Sequence, residues 1–336
     1  MAGVACDPNG SGTDLRPTPH RPLTDKEAQV APIRTVLVTG ASGYIAAQLL
    51  PELRRHFDLR LVDVRDTDRA GRRVNGVVVA DLADPDRGAY RRLFDGVDAI
   101  VHLGYRHPGK GAQGQELPPL DRFAAELANV QMAQNVYRSA FEAGVRRVVM
   151  ASSNHAADWY EHELVHARQR EMVYPEDLPL SDNFYGWAKA SYELLGHLYA
   201  SGAFGRKLEV VQVRIGAPRD VAGRHYEGTL AEQHAGPEGS GLANFKRDLG
   251  AWLSERDLCQ LFHRALETPR IENEHGVPWL VVYGISNNTR AFWSLETARR
   301  VLGYQPQDDA EVTYADDVRR LLTGPAAGAP GGRVGA

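Results

Sequence analysis

Six short apolar runs rich in Val and Ile lie between residues 34 and 215: RTVLVTG, LRLVDV, GVVVAD, DAIVHLG, RRVVMASS and LEVVQVRI. They are apolar throughout rather than alternating, so they read as strands buried on both faces. Helical patterns separate most of them. GYIAAQLLPELRRHF carries apolar residues at helical spacing, and so does PLDRFAAELANVQMAQNVYRSAFEAG, which closes on Gly144. Strand and helix alternating over this length predict an α/β fold, a doubly wound parallel sheet with helices on both faces. Past residue 215 the pattern loosens. Residues 218–248, rich in Gly, Pro and charge, read as loop, followed by a helix around LSERDLCQLFHRALE, a strand PWLVVYGI and closing helices. That part is expected to form a smaller C-terminal cap.

Composition removes several classes. Hydrophobic residues make up 43% and charged residues 24%, ordinary for a globular chain. A net charge of −4 carries no nucleic-acid footprint. The chain has two cysteines, Cys6 and Cys259, too few for a disulfide framework and in keeping with a reducing, cytoplasmic setting. No apolar run is long enough for a membrane span. The first thirty residues lack the apolar centre of a signal peptide. They read as a flexible extension, 1–31, and GPAAGAPGGRVGA reads as a flexible tail, 324–336.

The first strand runs into VTGASGYIA, which places Gly40 and Gly43 at a strand-to-helix junction with the small Ala46 behind them. Glycines there let backbone N–H groups approach a pyrophosphate, which a helix N-terminus also attracts. A glycine turn needs no ligand, so the pattern alone decides little. Asp63 ends the second strand about twenty residues on, where a carboxylate can bind ribose hydroxyls and repel a 2′-phosphate. This favours NAD over NADP, although Arg65 stands nearby. Asp81 and Leu82, in ADL, end the third strand where adenine would lie.

Tyr185 and Lys189 stand four apart in NFYGWAKASYELLGHLY, on one face of a predicted helix. A tyrosine of ordinary pKa, about 10, is a poor base near neutrality. A lysine ammonium and the positive nicotinamide ring would favour the phenolate. Random helices often carry this pair, but here it follows a βαβ array and a strand ending in ASSN.

At this point the chain resembles the extended short-chain dehydrogenase/reductases. The matching pieces are TGASGYIA, Asp63, ADL, HLG at His102–Gly104, Asn129, ASS and YGWAK, spanning about residues 33–216. The resemblance implies a Rossmann-type domain over 32–216 holding NAD and the catalytic residues, with a substrate cap over 217–323 interleaved with it. It implies that Ser153 hydrogen-bonds the substrate oxygen, Tyr185 transfers the proton, and Lys189 holds the cofactor ribose and lowers the tyrosine pKa. The cofactor-contacting set it implies is Gly40, Ser42, Gly43, Tyr44, Ile45, Asp63, Asp81, Leu82, Leu103, Gly104, Tyr185 and Lys189.

GVRRVVMASSNHA, YGWAK, VRIG and AWLSERDL are more narrowly similar to uronate dehydrogenases, which oxidise the anomeric carbon of a hexuronic acid with NAD. That similarity implies that Ser153, Asn154 and His155 line the sugar site and that Arg247, five residues before Trp252, binds the carboxylate. A guanidinium can do so bidentately. Otherwise Arg247, between Lys246 and Asp248, is a solvated charge. Two positions depart from the pattern. Tyr105, Arg106 and His107 replace the run that carries a substrate-contacting serine, leaving His107 as a candidate substrate contact, and Ala217 replaces a second serine. Segments 156–181 and 218–245 are longer than that family's norm. The expectation is therefore an NAD-dependent oxidoreductase of a sugar or uronate-like hydroxyl, with no metal. The family also implies a homodimer through the helix near 121–143 and the Tyr185 helix. A sugar epimerase or dehydratase with retained NAD is the alternative, and a non-catalytic NAD sensor has no use for the proton-transfer residues.

His162-Glu163-Leu164-Val165-His166 fits H-E-x-x-H, the zinc-protease pattern, in which two histidines one helical turn apart share a metal. It falls in the 156–181 insertion, between the proposed serine and tyrosine, and is expected to be a chance match.

Overall fold

The computed structural model describes residues 31–110, 115–226 and 241–323. The expected extension, apart from Ala31, and the expected tail lie outside the described residues, as do Cys6 and residues 227–240. Seven parallel strands form one sheet: β1 (Thr35–Thr39), β2 (Asp58–Asp63), β3 (Val77–Val79), β4 (Ala99–His102), β5 (Arg147–Ser153), β6 (Glu209–Ile215) and β7 (Trp279–Gly284). Their spatial order is β3-β2-β1-β4-β5-β6-β7, and every pairing is parallel. This is the doubly wound order, with its reversal of direction between β1 and β4. β7 extends that same sheet beside β6, so the chain beyond residue 217 shares the sheet with the nucleotide-binding half.

Each face is covered for a reason visible in the helix sequences. On one face α1 (Tyr44–His56) buries Ala46, Leu49, Leu50 and Leu53 at helical spacing. They share a core with Leu258, Leu261 and Phe262 of a later helix, Glu255–Glu267. On the other face α2 (Phe123–Glu142) and α3 (Phe184–Ala200) enclose Met132, Val136, Tyr137, Tyr192 and Tyr199. α3 is fixed to the sheet by charge as well as packing. Glu193 accepts two hydrogen bonds from Arg214 of β6 (2.8 and 2.7 Å) and one from Ser152 Oγ of β5 (2.7 Å), all of them buried.

The residues read as loop, 218–248, are only partly so: α4 spans Gly241–Ala251. Its buried Leu242, Phe245 and Leu249 recur at helical spacing, a period obscured in the sequence by Lys246-Arg247-Asp248. α5 (Glu255–Glu267) follows, capped by Ser254 Oγ, which accepts from Asp257 N. Short helices α6 (Ala310–Thr313) and α7 (Ala315–Leu322) close the described chain.

The 156–181 segment is not an α-helix. A 3₁₀ turn at Asn154–Ala157 leads into a π-helical stretch at Tyr160–Val165. The chain then bridges Val173 to Trp293, bringing the insertion against the C-terminal half.

Candidate active site

The crevice lies at the carboxyl ends of β1 and β4, where strand order reverses. Gly40 turns the chain there with φ +69°, and a Cβ on it would lie 2.7 Å from the Gly104 nitrogen, so only glycine lets the two loops meet. Gly43 N donates to Gly40 O (3.0 Å), closing the turn, and Gly43 caps α1. Asp63, at the end of β2, accepts from Ser42 N (2.9 Å), and Ser42 Oγ donates to Arg65 O (2.8 Å). Tyr44 and Ile45 begin α1, with Tyr44 exposed. Asp81 follows β3 on the surface, while Leu82 is buried and its carbonyl accepts from Asn135 Nδ2 (2.9 Å). Leu103 and Gly104 leave β4 beside Gly40, with Leu103 N donating to Thr39 O (3.0 Å). The glycine turn, its exposed backbone approach and the carboxylate at the second strand fit a dinucleotide.

Ser153 is the last residue of β5, and Tyr185 and Lys189 occupy the first turns of α3. Asn183 starts that helix, its Oδ1 accepting from Gly186 N (2.9 Å). Gly186 is demanded by packing, since a Cβ there would fall 1.9 Å from the His155 carbonyl oxygen. This contact brings the first turn of α3 against the Ser153–His155 corner. The Ser153 hydroxyl acts on the Tyr185 phenol, favouring its phenolate, and His155 N donates to Ser153 Oγ (3.3 Å).

Burial pushes the Tyr185 phenol above its ordinary value, the Ser153 hydroxyl opposing and Glu126 and Asp158 adding to the shift. Burial brings the Lys189 ammonium down to about 8, against the pull of Glu126 and Glu193. Its Nζ donates to Ala151 O (2.9 Å) and stands 5.6 Å from the Tyr185 ring centre. His102, buried beneath, is held neutral, with burial and then Lys189 lowering it to about 3.

Sequence reasoning missed a buried group behind this pair. Tyr105 Oη donates to Glu126 Oε1 (2.5 Å), and the Tyr105 ring meets those of Tyr185 (5.2 Å) and His107 (5.0 Å) edge-on. Asn129 Nδ2 donates to the other Glu126 oxygen (3.2 Å), and Asn129 also bonds both backbone groups of Arg106 (2.8 and 2.9 Å). His107 is itself exposed and reaches Tyr185 only through Tyr105. Tyr105 stands in the run that follows HLG and Glu126 belongs to no motif, so nothing in the one-dimensional pattern joins the two.

The other wall comes from the insertion. His155 stacks edge-on to Tyr185 (5.6 Å) and its Nδ1 meets Asp158 Oδ2 at 2.7 Å. Asp158 also accepts from Asn183 Nδ2 (2.9 Å), tying the insertion to the start of α3. Burial would raise the Asp158 carboxyl, yet the His155 imidazole holds it below the ordinary value. Arg247 reaches this wall from α4. It is not a solvated charge: its side chain keeps 9% of its exposure and pairs with Glu161, Nε to Oε1 at 2.9 Å and Nη2 to Oε2 at 3.2 Å. The Asn154 amide satisfies its neighbours in one orientation, with Nδ2 donating to Ile215 O (3.0 Å) and Oδ1 accepting from Arg247. Ser153, Asn154, His155, Tyr185, Lys189 and Arg247 are thus brought together, and His107 is not.

The H-E-x-x-H stretch takes another form. π-Helical winding places residues five apart on one face, so His166 N bonds Glu161 O (3.2 Å) and His166 Nε2 lies 3.4 Å from Glu161 Oε1. His162 instead bonds Asp182 (2.6 Å). The two histidines serve different carboxylates. Asp158, Glu161 and His162 bring one ligand atom each within 4.8 Å of one another, but His155 and Arg247 already hold the two carboxylates.

The model of the NAD-dependent epimerase/dehydratase family matches residues 36–275. The chain belongs to that family. Its cofactor is therefore NAD, and among its relatives are named NAD-dependent dehydrogenases. It is 32% identical to an NAD-dependent glucose-6-phosphate dehydrogenase of Haloferax volcanii, over 83% of this chain and 95% of that one. It is 32% identical to a uronate dehydrogenase of Pseudomonas syringae pv. tomato, over 84% and 86%. A uronate dehydrogenase structure from Agrobacterium tumefaciens in complex with NAD superposes with a TM-score of 0.59 at 26% identity, covering 86% of this epimerase/dehydratase-family chain and 89% of its own. Among the described residues no helix is long and apolar enough to cross a membrane.

Proposed function

We propose that the protein is a sugar dehydrogenase that oxidises a hydroxyl-bearing carbon of a sugar-like substrate, with residues 32–216 holding cofactor and catalytic groups and 217–323 facing the substrate. The observation that carries this is the meeting of the Ser153 hydroxyl, the Tyr185 phenol and the buried Lys189 ammonium at the mouth of the dinucleotide crevice. Gly40, Ser42, Gly43, Tyr44, Ile45, Asp63, Asp81, Leu82, Leu103 and Gly104 line the cofactor side. NAD, when bound, supplies the acceptor for the hydride and a positive ring near the phenol.

The chain's own residues supply the rest. Ser153 Oγ fixes the substrate oxygen at the Tyr185 hydroxyl. Tyr185 takes the hydroxyl proton as the carbon is oxidised, and Lys189 supplies the positive charge that stabilises its phenolate. In the free protein burial leaves the phenol a weak base, so the positive ring of bound NAD would have to add to Lys189 in favouring the phenolate. Asn154 and His155 present hydrogen-bonding groups to the sugar. The relatives named for glucose 6-phosphate and uronates support a sugar as substrate.

A homodimer through α2 and α3 is supported by their exposed Phe123, Leu127, Leu194 and Leu198. A cytoplasmic location suits the chain's two cysteines. The test is a panel of aldoses, aldose phosphates, uronates and nucleotide sugars assayed with NAD. Net NADH from aldoses or their derivatives is expected. Sugar interconversion with no net NADH would instead favour an epimerase.

A further inference from the structure

We infer that Glu161 sets the charge of the accepted substrate: it occupies Arg247 as an internal carboxylate, so the site takes an uncharged aldose rather than a hexuronate or other sugar anion. This rests on the sugar dehydrogenase reading above and names its substrate class.

Arg247 hydrogen-bonds Asn154 and acts electrostatically on Asp158, the partner of His155; Asn154 and His155 are the groups proposed to face the sugar. Its N–H groups are largely spent. Nε and Nη2 form a fork on Glu161, Nη2 also reaches Asn154, and Nη1 lies 3.3 Å from Asp248 Oδ1. One remaining N–H cannot grip a carboxylate bidentately. Arg247 is further held over the Trp293 ring at 5.3 Å, which limits its freedom to swing away.

Glu161 is built into this place rather than passing by. It is 1% exposed, and the π-helical turn aims it inward while His166 supports one of its oxygens. Burial would raise its carboxyl, but Arg247 prevails and holds it at about 2, so it stays charged.

Immediately around Arg247 the carboxylates outnumber the guanidinium groups. Among the described residues Asp158, Glu161 and Asp248 face Arg247 and Arg219, three carboxylates against two guanidinium groups, with Arg219 already 2.7 Å from Asp248. His155 and His166 are engaged by Asp158 and Glu161. An anionic sugar entering here meets a full guanidinium and a surplus of carboxylates, whereas neutral hydroxyls can donate to those carboxylates.

The experiment compares kcat/KM for aldohexoses, their hexuronates and their 6-phosphates, with NAD, in wild type, Glu161→Gln and Glu161→Gln/Arg247→Met. The wild type is expected to prefer a neutral aldose at least tenfold over its hexuronate and over its 6-phosphate. Glu161→Gln frees the guanidinium, so the hexuronate-to-aldose ratio should rise at least tenfold and return to the wild-type range or below in the double variant. A wild-type preference for either anion overturns the inference alone. So does an unchanged ratio in a Glu161→Gln protein that melts as one cooperative unit. Should that variant not fold, the wild-type ratio still decides. Turnover of no sugar at all overturns the function proposed above, and this inference with it.

Discussion

The cofactor side and the substrate side of the crevice are built by opposite means. Around Gly40 and Asp63 the contacts are local and use the backbone: a glycine turn, a carboxylate on Ser42 N, a helix N-terminus. Around Arg247 they are side-chain ion pairs between distant segments, with Glu161 and Arg247 86 residues apart in sequence. A dinucleotide presents the same pyrophosphate and ribose everywhere, and backbone geometry suffices to meet it. A substrate is distinguished by its charge and hydroxyls, and that discrimination falls to side chains that a single inserted turn can rearrange.

The largest effect should come where the two sides join. Tyr185→Phe removes the proposed proton acceptor and leaves the glycine turn untouched, so kcat should fall by about 10³-fold while NADH affinity, read by fluorescence titration, stays within a few fold. Loss of cofactor binding instead would mean that Tyr185 belongs to the cofactor side. Gly186→Ala tests the seam between insertion and α3. A methyl 1.9 Å from the His155 carbonyl forces the two apart, and stability should drop by about 3 kcal/mol, measured by urea unfolding, with activity falling alongside.

Acid probes the substrate side alone. Glu161 is held at about 2 against an ordinary 4.5. A depressed carboxyl stabilises the fold above the higher value and loses that contribution as pH falls through the lower one. Stability should therefore decline between these limits by roughly 3 kcal/mol on account of this group, and Glu161→Gln should flatten that share of the decline. An identical slope in the variant would show that the Arg247 pair does not govern it. The smallest effect belongs to Asp63→Ala. It removes the carboxylate proposed to bind the ribose hydroxyls and should weaken NAD about tenfold while improving the NADP-to-NAD ratio, both read from KM.

Legibility in the sequence follows the same divide. β1 to β6 could be read directly because their apolar runs are contiguous, and Gly40, Asp63 and the Tyr185/Lys189 pair carry fixed local spacings. α4 was hidden because Lys246-Arg247-Asp248 masks the Leu242, Phe245 and Leu249 period. Arg247 was visible as a residue, but its partner was not. Glu161 lies one residue before the conspicuous His162–His166 pattern, and only π-helical winding turns it inward. Tyr105 and Glu126 pair across 21 residues with no repeating signature.

The central claim is that a hydride leaves the sugar for good. It is tested most directly with the best sugar of the panel carrying deuterium at the carbon that is oxidised. A dehydrogenase will deliver the label into released NADH, one equivalent per sugar oxidised, and Tyr185→Phe will stop the transfer. Label that returns to a rearranged sugar, with no deuterated NADH in solution, would contradict the account.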